Sequence, residues 1–474
     1  MQSDDKLGAS RIGAGYAEFH FGFIKAAILL AFWGGFAVGA HSISVMGLGF
    51  APGPGFFAFN QVHGQLQLMG WVGLFVMGIS LFFLPRFAGV PLEEPHRQSQ
   101  ILWLMVSGLL LRYFSQSLLP YFDDPLYWNI LGFLAVLSAF FILFAVALYV
   151  TTLLMTMHTV FAGKARPAVH TVAPFFAMML AGWLLYVMIN FALVALMVAQ
   201  KKIVLPYGWN QFMIDLFVLL SLVPISFGVG LRTLPLYMRL PAQNWPVRRA
   251  AWVYLAGVAV KLLADLVLLL GSDSMALLYI SHAGTIAYSA VVVLLIWKLD
   301  VLTRLQQPWT EGRNEPVKPD RKPTRPGMPD YGEFGAFEKL IRAAFFWLLF
   351  AAVSELTVST GWLLGHEPMV SRDAVRHMYL MGFITHLIFG MAPRMIPGFL
   401  HKRAVARPRL VQFSYWLLLV AAVFRIIPLL LPLSLEEMLP VLFKFLKIGL
   451  SFSGVFAMLA VAVLWVNLRD TARS

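Results

Sequence analysis

The chain has 474 residues, of which 59% are hydrophobic and only 12% charged, and its mean hydropathy is +0.76. Soluble domains carry about a quarter charged residues, so a soluble globular chain, a disordered tail and a secreted disulfide scaffold are all excluded, and a polytopic membrane protein remains. No Cys occurs, which removes disulfides, thiol catalysis, iron–sulfur clusters and Cys-held zinc; any metal must be taken by His, Met, carboxylate or backbone. The net charge of +13 reads as an orientation signal rather than a nucleic-acid surface, because the basic residues flank apolar runs.

Crossing about 30 Å of hydrocarbon takes about 20 apolar residues. Twelve windows qualify, near 21–44, 66–88, 100–119, 129–157, 171–198, 211–231, 250–270, 275–298, 338–364, 374–399, 409–432 and 439–467. They are too long and too uniformly apolar for barrel strands, so the fold class is all-α, a single membrane domain over 1–474 surrounded by lipid. Asp4, Asp5, Lys6 and Arg11 precede the first span and no small-residue cleavage site follows it, so no cleavable signal peptide is expected. The termini and the loops after even-numbered spans hold most of the Lys and Arg, among them Arg232, Arg239, Arg248 and Arg249; the opposite loops hold Lys201, Lys202, Arg372 and Arg376. Both termini are therefore expected in the cytoplasm. The stretch 304–336, with Pro316, Pro319, Pro323, Pro326 and Pro329, reads as an extended cytoplasmic linker between spans 8 and 9.

Spans 2, 6 and 10 carry a common pattern near their inner ends, a Gly followed seven residues later by Pro: Gly78 and Pro85, Gly228 and Pro235, Gly390 and Pro397. The string Leu68-Met69-Gly70-Trp71-Val72 also matches Leu380-Met381-Gly382-Phe383-Ile384. A period of four spans predicts a pseudo-threefold bundle of 4+4+4 helices. The competing reading is that Gly packs helices and Pro ends them at any interface.

The orientation places His41, His63, His282, His366, His377 and His386 in the outer half. His63 just before span 2 and His377 at the start of span 10 lie at similar depth on helices the repeat makes equivalent. Two imidazoles on facing helices can hold a haem iron; the alternative is interfacial His satisfied by water. At 100° per residue His377 and His386 point to opposite faces, so they cannot share one iron. His282 and His386 are second-site candidates for copper or another haem, or are hydrogen-bonded core residues; His41 is a further candidate, or with His366 caps or lines the outer surface. Arg112 in span 3 and Arg425 in span 11 suit haem propionates, or else helix carbonyls and headgroups. Lys261 and Asp265, four apart in span 7, neutralise each other on one face. Glu355 and Asp215 have no sequence-local partner and are candidate proton carriers or structural hydrogen-bonding groups.

At these residues the chain resembles known families. His63-Gly64-Gln65-Leu66-Gln67-Leu68-Met69-Gly70 resembles the span-2 motif of the NnrS family, His-x-His-Glu-x-Leu-Phe-Gly, with Gln65 for the second His and Leu66 for the Glu. Arg376-His377 with Gly382, Arg394 and Gly398 resembles its second motif. That resemblance implies a bacterial inner-membrane protein with haem and copper, linked to nitric oxide metabolism and nitrosative stress. A wider resemblance is to the catalytic subunit of haem-copper oxidases and nitric oxide reductases, whose low-spin haem is held by His on helices 2 and 10. There the high-spin haem ligand lies two residues before the helix-10 ligand, which is Val375 here, and the copper ligands lie on helices 6 and 7, where this chain has no His. The resemblance therefore implies haem b at His63 and His377, a quinol or cytochrome redox partner, and no dioxygen-reducing centre of the usual form.

Three functional expectations remain: a haem b protein of nitric oxide handling or electron transfer; a multi-metal reductase or quinol-linked oxidoreductase with a second site at His282 and His386; and a metal-free transporter using Lys261, Asp265 and Glu355.

Overall fold

The structure, a computed structural model, describes residues 17–159, 167–238, 240, 243–303, 332–366, 370–431 and 437–474. Twelve helices are long and apolar enough to span a membrane: α1 (Gly22–Gly47), α2 (Phe56–Ala88), α3 (Arg97–Tyr121), α4 (Pro125–His158), α5 (His170–Ala199), α6 (Tyr207–Met238), α7 (Val247–Leu269), α8 (Met275–Leu299), α9 (Phe337–Leu363), α10 (Arg372–Phe399), α11 (Pro408–Leu429) and α12 (Pro440–Arg473). No strand occurs among the described residues. An even number of crossings puts both ends of the bundle's chain on one side, and the opposite side is called the distal face below. The prolines of the 304–336 linker lie outside the described residues.

The main departure from expectation is α2, which begins at Phe56 and not at 66. Gln61, His63, Gln65 and Gln67 depress the local hydropathy, yet the helix continues through them, and three of the four side chains find interior hydrogen-bond partners. Gln61 exchanges hydrogen bonds with Leu205, Gln65 accepts from Tyr186 and His63 donates to Gly35. His63 is thus two turns inside a spanning helix.

The four-span period is a property of the packing. The apolar windows of α2, α6 and α10 are each 83% buried, whereas those of the other nine spans range from 28% to 56%. Each of these three central helices also contains a π-helical stretch, Leu66–Gly73, Val218–Leu222 and Met378–Thr385, and α1 contains a fourth, Ala31–Phe36. The repeated glycines do the same work three times. A Cβ on Gly78 would meet Phe23 and Ile24 of α1, one on Gly228 would meet Phe175 and Phe176 of α5, and one on Gly390 would meet Ile341 and Phe337 of α9. Each central helix is therefore drawn against the first helix of its own four-helix unit, as small residues permit in a membrane bundle. The ring closes where Gly454 of α12 lies against the backbone of Ala40 in α1 and Ser44 Oγ donates to the Ser451 carbonyl at 2.7 Å.

Along the axis between the three central helices runs a cavity of about 90 Å³, walled by Phe75, Ile79 and Phe83 of α2, Ile225, Val229 and Leu234 of α6, and Ile384, Ile388 and Met395 of α10, with Ser80 and Ser226 at its edge.

Replacing Gly390 by Leu places a Cβ 2.7 Å from Ile341 Cγ1 and 3.1 Å from the Phe337 carbonyl oxygen. A loss of about 1–3 kcal/mol is expected from overpacking. Thermal unfolding in detergent should show it, while Gly398→Ala, whose Cβ meets nothing within 4 Å, should leave the melting temperature unchanged.

Candidate functional site

His63 of α2 donates from Nδ1 to the Gly35 carbonyl of α1 at 2.7 Å. His377 of α10 donates from Nδ1 to the Asp373 carbonyl, one turn back, at 2.8 Å. A carbonyl can only accept, so both rings carry their proton on Nδ1 and leave the Nε2 lone pair bare, the form in which imidazole binds a metal. The approach of α1 to His63 is close: a Cβ on Gly39 would lie 2.8 Å from Nδ1 and 3.1 Å from Nε2 of that ring. Gly39 is small because the imidazole occupies the space beside it, and Gly35 is small because the Gln67 side chain does.

The two histidines share a charged neighbourhood. His63 lies within electrostatic reach of His377, Asp373 and Arg425. Arg425 Nη2 is 3.7 Å from Asp373 Oδ2, and Arg376 Nη1 is 3.9 Å from Asp373 Oδ1. Those pairings are long, and Arg425 Nη1 and Arg376 Nε are buried with no hydrogen-bond partner. One carboxylate thus stands between two guanidiniums that both retain unused N–H groups, and its Oδ1 lies 3.4 Å from His377 Nδ1. Two bare imidazole nitrogens with guanidinium forks form a donor set that fits a haem and its propionates.

A second polar region lies between α6 and α10, a cavity of about 570 Å³. Its walls include Asp215, Lys261, Asp265, Ser281, His282, Thr285, Glu355, Arg372, Val375, Arg376 and Tyr379. Most of the charges are paired. Arg372 bridges to Asp215, and Lys261 Nζ contacts Asp265 Oδ2 at 2.5 Å, with Ser281 Oγ donating to Oδ1 at 2.6 Å. Glu355 accepts from Tyr288 at 2.7 Å, from Tyr379 at 2.6 Å and from Ser289 at 3.1 Å. Glu355 lies eight residues before the distal end of α9, about 12 Å deep at 1.5 Å per residue. Val375 also faces this cavity, so the place two residues before His377 presents an aliphatic side chain and no metal ligand.

The remaining sequence candidates separate. Arg112 is buried on α3 and donates to Gln116 at 2.7 Å, which in turn donates to Gln61. Gln61 and Gln65 stand about 160° around α2 from His63 at 100° per residue, so Arg112 lies on the far side of α2 and does not join the histidine pair. His282 lines the α6–α10 cavity, bonded to Ser359 at 3.2 Å and stacked on Trp362 at 5.0 Å between ring centroids. His386 does not line it; its Nδ1 donates to the Met381 carbonyl at 3.1 Å and its Nε2 is buried without a partner. The structure therefore does not bring His282 and His386 to one site, and among the described residues no group of three or more His, Asp or Glu is placed to hold a metal ion. His41 is exposed, its ring 6.5 Å from that of Phe59. The expectation that His377 and His386 face opposite ways assumed an unbroken α-helix; the π-helical stretch between them has more residues per turn and reduces that rotation. Asp373 went unremarked in the sequence, although its position four before His377 on one helix face was a usable signal.

No family model matches the chain, and no curated protein matches it, so the NnrS motif resemblance stands on its own residues. Among solved structures, the fold is similar to that of a haem-copper terminal oxidase determined as a dimer by cryo-electron microscopy. The TM-score is 0.65 at 12% identity, and the match covers 96% of this chain and 83% of that one. The likeness is of fold: an all-helical, twelve-span bundle of the haem-copper oxidase subunit I type.

Replacing Glu355 by Leu strands three hydroxyl donors. It should destabilise the protein by at least about 2 kcal/mol more than Glu355→Gln, which keeps an acceptor; equal melting temperatures for the two variants would show the network to be energetically idle.

Proposed function

We propose that the chain is a haem-binding electron-transfer protein of the membrane, holding one haem b between His63 and His377. The observation that carries this reading is the pair of imidazoles on α2 and α10 whose Nδ1 protons are committed to backbone carbonyls, leaving both Nε2 lone pairs for iron. Arg425 and Arg376 would hold the propionates with their spare N–H groups, as guanidinium forks suit planar carboxylates. A haem whose iron His63 and His377 would hold would supply one-electron exchange.

The protein's own residues do the positioning. The Gly35 and Asp373 carbonyls fix each ring's tautomer and orientation, as outer partners of metal-bound histidines do. Gly39 leaves the His63 ring its room, and the Asp373 carboxylate balances part of the positive charge of Arg376 and Arg425. A quinol or a cytochrome is the class of redox partner that such a centre serves.

Nitric oxide handling in the bacterial inner membrane is the narrower form of this proposal. It rests on the motifs around His63 and Arg376-His377, and it needs a second reactive site, for which the α6–α10 cavity offers space and His282 a single imidazole. The multi-metal reductase reading is weaker because His282 and His386 do not meet. The transporter reading is weaker because Lys261 and Asp265 neutralise each other and the repeat has a four-span period.

Protein purified from haem-replete cells should give a b-type pyridine haemochrome spectrum with one iron and no copper per chain. His63→Ala and His377→Ala should each abolish it, and Gly39→Val should weaken haem retention by about 10–100-fold by displacing the His63 ring. A colourless preparation overturns the proposal, and two metals per chain favours the reductase instead.

A further inference from the structure

Arg112 presents a problem that the haem reading does not solve. Its side chain is only 2% exposed, at membrane depth on α3. Nε donates to Gln116 Oε1 at 2.7 Å, Nη1 is buried with no partner, and among the described residues no carboxylate pairs with it. A buried guanidinium without a counter-charge is unstable unless something negative joins it.

Its surroundings form a closed set of amides and a phenol. Gln116 Nε2 donates to Gln61 Oε1 at 3.1 Å and to the Ile203 carbonyl at 3.2 Å. Gln61 brackets Leu205, donating to its carbonyl at 2.9 Å and accepting from its N–H at 2.8 Å. One turn along α2, Gln65 Oε1 accepts from the Tyr186 hydroxyl at 2.8 Å, and Tyr186 lies within electrostatic reach of Arg112. Gln65 Nε2 is a second buried donor without a partner. Ser115 Oγ on α3 and Asn190 Oδ1 on α5 are also buried without a partner. Arg112 Nη1 and Gln65 Nε2 are both N–H donors, one of them charged. A water molecule can accept from both but leaves the charge uncompensated. The segment 203–205 closes this enclosure on the distal side, and immediately before it stand the exposed Lys201 and Lys202, two of the four cations that the sequence assigns to the outer loops.

We propose that this enclosure between α2, α3 and α5 is a binding site for a small inorganic monovalent anion, held by Arg112 and Gln65 and drawn from the distal side by Lys201 and Lys202. The site faces away from His63, so its occupancy is independent of the haem.

The test uses the full-length chain in detergent and chloride as the probe, with gluconate at equal ionic strength as the control. Chloride should raise the melting temperature saturably in the wild type. Arg112→Gln should weaken the apparent chloride affinity at least tenfold, and Lys201→Gln with Lys202→Gln a few-fold through the lost attraction. Crystals grown in bromide should show one anomalous peak between Arg112 and Gln65 in the wild type, a readout that needs no variant to fold. Water alone at that position, or a chloride effect that persists in Arg112→Gln, overturns the assignment. Haem content measured in parallel should be the same with and without chloride, so failure here is distinct from failure of the haem proposal.

Discussion

At membrane depth every polar group must be satisfied from within the protein, because hydrocarbon offers no hydrogen-bond partner. In this bundle the π-helical stretches help to meet that constraint. A π turn loosens the regular backbone ladder and makes carbonyls available to side chains. Within these stretches Gly35 accepts from His63, Leu219 from Tyr254 at 2.7 Å, Leu380 from Thr385 at 2.7 Å and Met381 from His386. Three of the four irregular stretches thus supply the acceptor for a polar side chain. The orientation of His63, and with it the candidate site, rests on the Gly35 carbonyl.

What the sequence revealed and what it hid follow from the range of the interactions involved. Span number, helical class and the four-span repeat are local or periodic properties, written in apolar run length and in the Gly and Pro positions of α2, α6 and α10. The start of α2 was hidden because hydropathy counts Gln61, His63, Gln65 and Gln67 as polar without seeing Leu205, Tyr186 and Gly35 across the interface. Asp215 and Glu355 seemed unpartnered for the same reason: Arg372 lies 157 residues from Asp215, and Tyr288 lies 67 residues from Glu355. Lys261 and Asp265, one turn apart, were readable as a pair because their partnership is local.

The α6–α10 cavity shows how a shared fold can be furnished differently. Haem-copper oxidases, as the sequence resemblance has it, place metal ligands on helices 6, 7 and 10. Here the same helices contribute Asp215, Lys261, Asp265, Arg372 and an aliphatic Val375. Internally paired charges and a Glu355 held by three hydroxyls make a polar chamber in place of a set of metal ligands. Arg376 belongs to both regions, lining the chamber while reaching towards Asp373, so whatever occupies the chamber sits one side chain away from the neighbourhood of His377.

The narrow cavity on the pseudo-threefold axis has a consequence of a different kind. Its walls are aliphatic and aromatic, with two serine hydroxyls at the edge, one directed to Tyr149 and the other to its own helix backbone. A chain of water molecules finds too few hydrogen-bonding stations there to form, and without such a chain protons have no wire to follow. The centre of the bundle is therefore a dry, aliphatic and aromatic seam, and the polar groups of the fold are gathered to either side of it.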